Sequence, residues 1–237
     1  MRQVEIADLV PTLRAIPSTA QGAAADVQLL TPAQRRRIAA IATTLQLPPR
    51  ATIFRAGTAA EHVFINGGGV VKTVHELASG KRQINAFWFP RDIFGLAENG
   101  RYVYTTFAVT PVTLYRVPVD ALRRELLADA HLTLQVLTKI TYVLRESQRQ
   151  KLLLIRKDAI GRVAMFLKML ERQAGARSDT IALPMSRSDI ANYLGLTLEA
   201  VSRATRKLRA LGLVSLPDRN VARILDRAGF EQLVARI

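Results

Sequence analysis

The chain has 237 residues, 49% of them hydrophobic, which is enough for two small domains with buried cores. Its 34 Lys and Arg against 19 Asp and Glu give a formal net charge of +15, which favours a polyanionic partner, either nucleic acid or an anionic membrane surface. Cysteine is absent, which excludes disulfides, thiol catalysis and metal or iron–sulfur sites held by thiolates. No segment approaches the roughly 20 apolar residues that span a bilayer, and the N-terminus lacks a signal-peptide core, so we expect a cytoplasmic protein with no membrane partner.

The first half of the chain predicts an arm, a short helix and then a β domain. Residues 1–30 mix prolines with an alanine run and predict a loosely held arm, and Thr31, Pro32 and Gln34 form a good helix start after it. Up to residue 118, short runs such as HVFING and VTLYRV alternate with turns, which predicts a sandwich, jelly roll or barrel over 31–118. The triplet Gly67 to Gly69 opens no helix, so it indicates a turn or a close backbone approach rather than a phosphate loop.

Residues 119–157 are predicted to form one long dimerisation helix. An a/d heptad seam runs along it, and the opposite stripe of Val136, Ile140 and Val143 is suited to packing on the β domain. This arrangement favours a homodimer over the alternative, a helix buried within one subunit. A hinge is expected near Lys157 and Asp158, where Asp158 also caps the next helix. The predicted dimer interface consists of Leu134, Leu137, Thr141, Leu144, Gln148, Lys151 and Ile155.

The C-terminal segment, residues 158–237, contains a helix-turn-helix pattern. Ala191, Gly195 and Val201 supply the small residue where two helices cross, the left-handed turn and the branched residue under the second helix. Ser186 and Thr197 are suitable N-caps for the two helices, with Asp189 completing a capping box at the first. After Gly212, LVSL and VARIL predict two strands joined by a turn, and this hairpin would form a wing.

The second helix of this motif, residues 197–211, is amphipathic. Val201, Ala204, Leu208 and Leu211 are expected on its buried side. On the other side, Arg203 can donate to guanine, Glu199 can accept from cytosine N4, and Ser202 can pair with several base edges. The alternative for Glu199 is a first-turn carboxylate that interacts with the helix dipole. The residues expected to contact the DNA backbone are Ser186, Arg187, Thr197, Arg206, Lys207, Arg209 and Arg219.

From about residue 30 to its end, the chain resembles the Crp/Fnr superfamily of bacterial transcription regulators. The resemblance rests on FRAG, VFINGGGVVK, RDIFGL, DAIGRVAMFL and MSRSDIANYLGLTLEAVSR. The Glu-x-x-Ser-Arg motif at residues 199–203 is similar to the Fnr and FixK branch. The resemblance implies an α+β chain with an N-terminal cyclic-nucleotide-binding-type β-roll, or jelly roll, a dimerisation helix and a C-terminal winged helix-turn-helix. It also implies a dimer that reads a TTGAT-like inverted repeat in double-stranded DNA, with RNA polymerase as a further partner.

The resemblance raises the question of an effector, for which the residues offer no clear binding pattern. Where cyclic-nucleotide members carry a Gly-Glu pair and a phosphate-binding arginine, this chain has Leu96 after Gly95, and Tyr104, although Arg101 lies nearby. We therefore expect no cofactor. A haem- or small-ligand-responsive regulator is the alternative, with His62, His75 and His131 as candidate axial ligands.

The sequence contains no constellation that would support catalysis, so an enzyme is not expected. A second rival to a DNA-binding regulator is a ligand-binding β-roll whose C-terminal unit contacts proteins.

Overall fold

The computed structural model describes residues 31–235 apart from 77–79, 81, 98, 157 and 175–178. The predicted arm at 1–30 and Lys157 of the predicted hinge lie outside the described residues. The chain divides into two compact units, one up to Glu146 and one from Ser147 onward. The division falls within a helix that runs from Ala130 to Arg156, upstream of the predicted hinge.

Within the residues that the structure describes, the N-terminal unit consists of one helix, eight short strands and a helical C-terminal part. Its strands form two four-stranded sheets in which all pairs are antiparallel, with the orders β1-β8-β3-β6 and β2-β7-β4-β5. The elements are α1 (Pro32–Ile41), β1 (Thr43–Leu47), β2 (Thr52–Phe54), β3 (His62–Gly68), β4 (Val71–Glu76), β5 (Arg82–Trp88), β6 (Ile93–Phe94), β7 (Thr105–Ala108) and β8 (Val112–Pro118). The predicted capping box at the start of α1 is confirmed, since the Thr31 and Gln34 side chains each accept from the other's backbone N–H.

Alternation along the strands divides the core of this unit into two layers. Phe64 and Val71, which belong to different sheets, share one buried cluster between the sheets. Ile65, the next residue along β3, faces the opposite way and packs with Ile38 of α1 and with Leu132. One face of this sheet is therefore covered by the other sheet and its second face by helices, which confirms the predicted β-roll.

Gly69 shows why the glycine triplet is needed. Its φ of +83° lies in the left-handed region, and a Cβ at this position would overlap the carbonyl oxygen of Pro111. The triplet therefore serves a turn and a close backbone approach, as the sequence predicts.

The predicted single helix over 119–157 is instead two helices, α2 (Val119–Ala128) and α3 (Ala130–Arg156). The break lies at Asp129, whose backbone is extended and whose carboxylate accepts from the backbone N–H of Leu132 at 2.8 Å. The same carboxylate accepts from Gln34 at 3.1 Å and Arg37 at 2.8 Å, and these hydrogen bonds hold the pKa of Asp129 down at about 2. Asp129 therefore begins α3 and ties that point to α1.

The C-terminal unit is a helical domain with a three-stranded antiparallel sheet of order β10-β11-β9. The Asp158 carboxylate caps its first complete helix by accepting from the Gly161 N–H at 2.8 Å, as predicted. Its elements are α4 (Ala159–Ala174), β9 (Thr180–Ala182), α5 (Arg187–Leu194), α6 (Leu198–Ala210), β10 (Val214–Asp218), β11 (Val221–Ile224) and α7 (Arg227–Ala235).

A buried carboxylate joins three parts of this unit. Glu171 of α4 has a side chain only 4% exposed and forms ion pairs with Lys168 at 2.8 Å and with Arg227 of α7. Arg227 also reaches Asp179, just before β9, at 2.5 Å. Burial raises the pKa of Glu171, but hydrogen bonds from Lys168 and Arg227 outweigh it, so the pKa lies below its usual value. The network holds α7 and the approach to β9 against α4, the helix on which α6 packs.

Candidate nucleic-acid interface

The helix-turn-helix forms at the predicted residues. The side chain of Ser186 accepts from the Asp189 N–H at 3.0 Å and begins α5, and that of Thr197 accepts from the Ala200 N–H at 3.1 Å and begins α6. Gly195 ends α5 with a left-handed φ of +61°. The two helices pack against each other, and Ala191 and Val201 are buried, 4% and 2% exposed, as a contact between the helices requires. Local capping and one glycine therefore fix the relation of the two helices.

Helix α6 presents one apolar and one polar face. Val201, Ala204 and Leu208 are at most 2% exposed and hold the helix to its unit. The prediction that Leu211 shares this buried face is wrong, because α6 ends at Ala210 and Leu211, 51% exposed, is its C-cap.

The three predicted base readers lie on the solvent side of α6, near its N-terminus. Glu199 and Arg203 are exposed and Ser202 is half-buried. The pKa of the Glu199 carboxylate is lowered by hydrogen bonding with its own backbone N–H and the Thr197 hydroxyl, and then by the charge of Arg203. Glu199 is therefore an ionised acceptor in the first turn of α6, a position compatible with both functions considered for it.

An open groove of about 650 Å³ lies between α6 and the β10–β11 hairpin, which we call the wing groove. Four arginines line it, and they come from the start of α5, the outer side of α6 and the tip of the hairpin. The groove brings together the predicted residues Arg187, Ser202, Arg206, Arg209 and Arg219. Such a concentration of guanidinium groups around one concavity suits a chain of phosphates.

The wing groove omits some predicted residues and includes others that the sequence did not indicate. Glu199, Arg203 and Lys207 do not line it, and Lys207 is exposed. Ser186 and Thr197 act as helix caps through their hydroxyl oxygens. The residues that were missed are Thr205, Leu216, Pro217 and Asp218. Thr205 follows Ser202 by one helical turn, a spacing that could have indicated it, whereas the hairpin residues depend on the tertiary fold.

The predicted dimer seam is a row of solvent-facing side chains on α3. Leu134, Leu137 and Leu144 are 63%, 53% and 57% exposed, and Thr141 and Gln148 are also exposed. Lys151 and Ile155 belong to α3, but their side chains are outside the described part of the structure, as is that of Val143. On the opposite stripe Val136 packs against the β-roll cluster as predicted, whereas Ile140 is 40% exposed.

The positions that would meet a cyclic nucleotide have other surroundings here. Leu96 is 53% exposed and lacks an acceptor for a ribose hydroxyl. The ring of Tyr104 is half-buried and stands edge-on to His75, with 5.7 Å between the ring centroids. Arg101, a possible substitute, donates to the backbone oxygen of Gly57 at 2.6 Å.

Aromatic side chains pack inside the β-roll. The rings of Phe54 and Tyr102 stack with centroids 3.9 Å apart, and Trp88 stacks on Phe94 at 5.8 Å. Phe87 and Phe89 are each 7% exposed and Trp88 packs on the buried cluster between the sheets, so the Phe-Trp-Phe run belongs to the core.

The three candidate haem ligands occupy different parts of the N-terminal unit. His75 and His131 are exposed, and His62 is half-buried, where burial and then Arg116 lower its pKa. Within the described residues no three His, Asp or Glu side chains are grouped to hold a metal ion.

Two family models match the chain. A cyclic nucleotide-binding domain matches residues 44–129 and a Crp-like helix-turn-helix domain matches residues 161–233. Over the described residues, no helix is long and apolar enough to cross a membrane. The chain belongs to the Crp/Fnr family of transcription regulators, a family of DNA-binding proteins that are not enzymes.

Within that family its relatives place it in the FixK and Fnr-like branch. It is 35% identical to the nitrogen fixation regulation protein FixK of Azorhizobium caulinodans, over 90% of this chain and 87% of the relative. It is 32% identical to the transcriptional activator protein FnrA of Stutzerimonas stutzeri, over 75% of each chain. The structure of FixK2 from Bradyrhizobium japonicum is similar with a TM-score of 0.77 and 32% identity, covering 83% of this chain and 99% of that one.

Proposed function

We propose that this protein binds, as a homodimer, an inverted repeat with TTGAT-like half-sites and regulates transcription there. The observation that carries the proposal is the outer face of α6, where Glu199, Ser202 and Arg203 lie together at the helix N-terminus. In a helix-turn-helix this end enters the major groove. Arg203 is assigned to guanine O6 and N7, Glu199 to cytosine N4 and Ser202 to a neighbouring base edge.

The wing groove is assigned to the DNA backbone. Arg187, Arg206, Arg209 and Arg219 come from three elements and converge on one concavity, so they can follow a phosphate chain along the edge of the major groove. These contacts supply salt-dependent affinity and fix the orientation of α6, and the three readers supply sequence choice.

The homodimer is assigned to the exposed stripe of α3. A row of leucines that is half or more exposed in one chain is the apolar surface that a second copy would cover. A two-fold pair of α6 helices then meets a two-fold repeat in DNA. RNA polymerase is the further partner proposed, since the similar proteins include a transcriptional activator. A regulator that acts on the bacterial chromosome would work in the cytoplasm, which is the proposed location.

Cyclic-nucleotide control is not part of the proposal. Leu96 provides no acceptor for a ribose, Tyr104 provides no charge for a phosphate, and the guanidinium of Arg101 is held by a backbone carbonyl. Regulation through the protein's own abundance or through a further partner fits these residues. A Soret band in the absorption spectrum of the purified protein would support the haem alternative instead.

Selection of sites from a random DNA pool by the purified full-length protein tests the proposal. The expected result is an inverted repeat with TTGAT-like halves, bound at a molar mass of two chains per duplex. A selected sequence without two-fold symmetry, or a complex containing one chain, would contradict the dimeric readout. Failure to select any sequence would favour a C-terminal unit that contacts proteins.

A further inference from the structure

The wing groove contains residues that a path for DNA phosphates does not require. Beside its four arginines it is lined by Leu216, Pro217 and the acidic residue Asp218. A phosphate chain gains little from two apolar side chains, and it is repelled by a carboxylate. One oxygen of Asp218 accepts from the Asn220 N–H at 3.2 Å and shapes the hairpin turn, while the second oxygen has no partner among the described residues. The assignment to the DNA backbone therefore leaves one part of the groove unexplained.

The arginines of the groove are available to a ligand. Within the described residues, none of the four takes part in an ion pair or a side-chain hydrogen bond. Guanidinium groups gathered around one concavity repel one another, and a bound anion with several charges relieves that repulsion. The volume of about 650 Å³ lies in the range of sites that bind small molecules. A single bound molecule can therefore place several phosphates against the arginines and still have room for a further group.

The remaining lining residues suit the base of a nucleotide. A base has flat faces of low polarity, which can lie against Leu216 and Pro217. Guanine also carries two adjacent donors, the N1–H and the 2-amino group, and an ionised carboxylate can accept from both. Adenine lacks this pair of donors. We propose that the wing groove also binds a guanosine polyphosphate, with its phosphates on the arginines and its base on Leu216, Pro217 and Asp218.

This ligand would regulate DNA binding by competition. The inference rests on the proposed function, because the same arginines are assigned there to the DNA backbone. A nucleotide in the groove occupies those arginines, so the protein cannot hold the nucleotide and the DNA phosphates there at once, and the apparent affinity for the operator falls. The effector would thus act directly on the C-terminal unit rather than through the β-roll.

Titrations of the full-length protein with nucleotides test the proposal. GTP carrying a fluorescent label on its ribose is bound first, and unlabelled GTP, ATP and tripolyphosphate are then competed against it at fixed salt without divalent cations. GTP should bind about tenfold more tightly than ATP, which is within the range for one bidentate hydrogen-bonded pair. GTP should also displace a fluorescent operator duplex at lower concentration than ATP or tripolyphosphate does.

Three variants locate the nucleotide in the groove. Asp218→Asn keeps an oxygen for the turn and replaces the other oxygen with an amide donor, so it should lose the preference for GTP over ATP and bind tripolyphosphate at least as tightly as the wild type. Xanthosine triphosphate, whose base has a carbonyl in place of the 2-amino group, should bind Asp218→Asn more tightly than GTP does. Arg206→Gln should weaken GTP and tripolyphosphate alike, whereas the matched control Lys207→Gln, which removes a cation outside the groove, should bind GTP like the wild type. Circular dichroism verifies that the variants are folded.

Three results would overturn this inference while leaving the proposed function intact. The first is a protein that binds its selected operator but no labelled GTP at millimolar concentration. The second is equal affinity for GTP, ATP and tripolyphosphate, which would make the groove a site for phosphates alone. The third is a preference for GTP that persists unchanged in Asp218→Asn. A protein that selects no operator would overturn the proposed function, and the GTP titration would still decide whether the groove binds the nucleotide.

Discussion

Replacing Arg206 with glutamine would remove one of the four arginines that line the wing groove while keeping a polar side chain of similar length. Lys207 is the next residue on the same helix and is also an exposed cation, but it does not line the groove. Lys207→Gln is therefore a control of equal charge change, and the two variants separate a phosphate contact from a general loss of positive charge.

The expected magnitude follows from the number of phosphates released. Each phosphate contact adds about 0.9 to the slope of log affinity against log salt concentration. A dimer that loses Arg206 twice should therefore bind with a slope reduced by about 1.8. If the wild type and the variant bind DNA equally at 1 M salt, this difference in slope makes the variant about thirtyfold weaker at about 0.15 M salt. That ratio corresponds to about 2 kcal/mol of binding free energy.

Fluorescence anisotropy with the selected operator and with a random duplex, repeated across a salt series, measures these slopes. Arg206→Gln should lower the slope on both duplexes, because phosphates are common to all sequences. Lys207→Gln should lower it by a clearly smaller amount. Equal changes in slope for the two variants would refute the assignment of the wing groove to the DNA backbone.

Four further predictions concern readout, assembly and stability. Arg203→Ala should cost about 1–3 kcal/mol on the operator and relax the choice at one base pair in a repeated site selection; equal losses on operator and random DNA would contradict base readout. Leu137→Glu places a charge within the exposed stripe of α3 and should yield a monomer by light scattering, with weakened operator binding. Glu171→Ala leaves Arg227 without its buried partner and should lower the free energy of unfolding by about 3 kcal/mol in urea titrations, the lower end of the range because the cation reaches solvent. The pKa of Asp129 is lowered to about 2, so the stabilisation that its carboxylate provides is complete above the ordinary pKa of an aspartate and is lost as the pH falls toward 2. The wild type should therefore unfold at a lower urea concentration at pH 3 than at pH 5, and Asp129→Asn should reduce this difference in urea midpoint.

The helix-turn-helix could be predicted from the sequence because its determinants are local. A cap is a side chain bonded to a backbone N–H three residues away, and Gly195 supplies a left-handed turn that depends on its own backbone. The helical period alone correctly predicted that Val201, Ala204 and Leu208 form the buried face of α6. The period failed at Leu211, since it cannot show where a helix ends.

Features that depend on distant parts of the chain could not be predicted in the same way. The attachment of Asp129 to α1 depends on Gln34 and Arg37, which lie far away in sequence and reach its carboxylate only in the folded unit. The wing groove likewise needs the hairpin to fold back beside α6, and only then do Arg187 and Arg219 face one space. The sequence shows that each residue is cationic, and the tertiary fold determines which cations act together.

The N-cap of α6 has a consequence for the entropy of recognition. A backbone that became helical only on meeting DNA would lose its conformational freedom at the expense of binding. Here the Thr197 hydroxyl oxygen accepts from the Ala200 N–H at 3.1 Å, so the first turn, which carries Glu199, is ordered when the unit folds. The position of the acceptor is therefore set before DNA arrives, and only the rotamers of the Glu199 side chain remain to be fixed on binding.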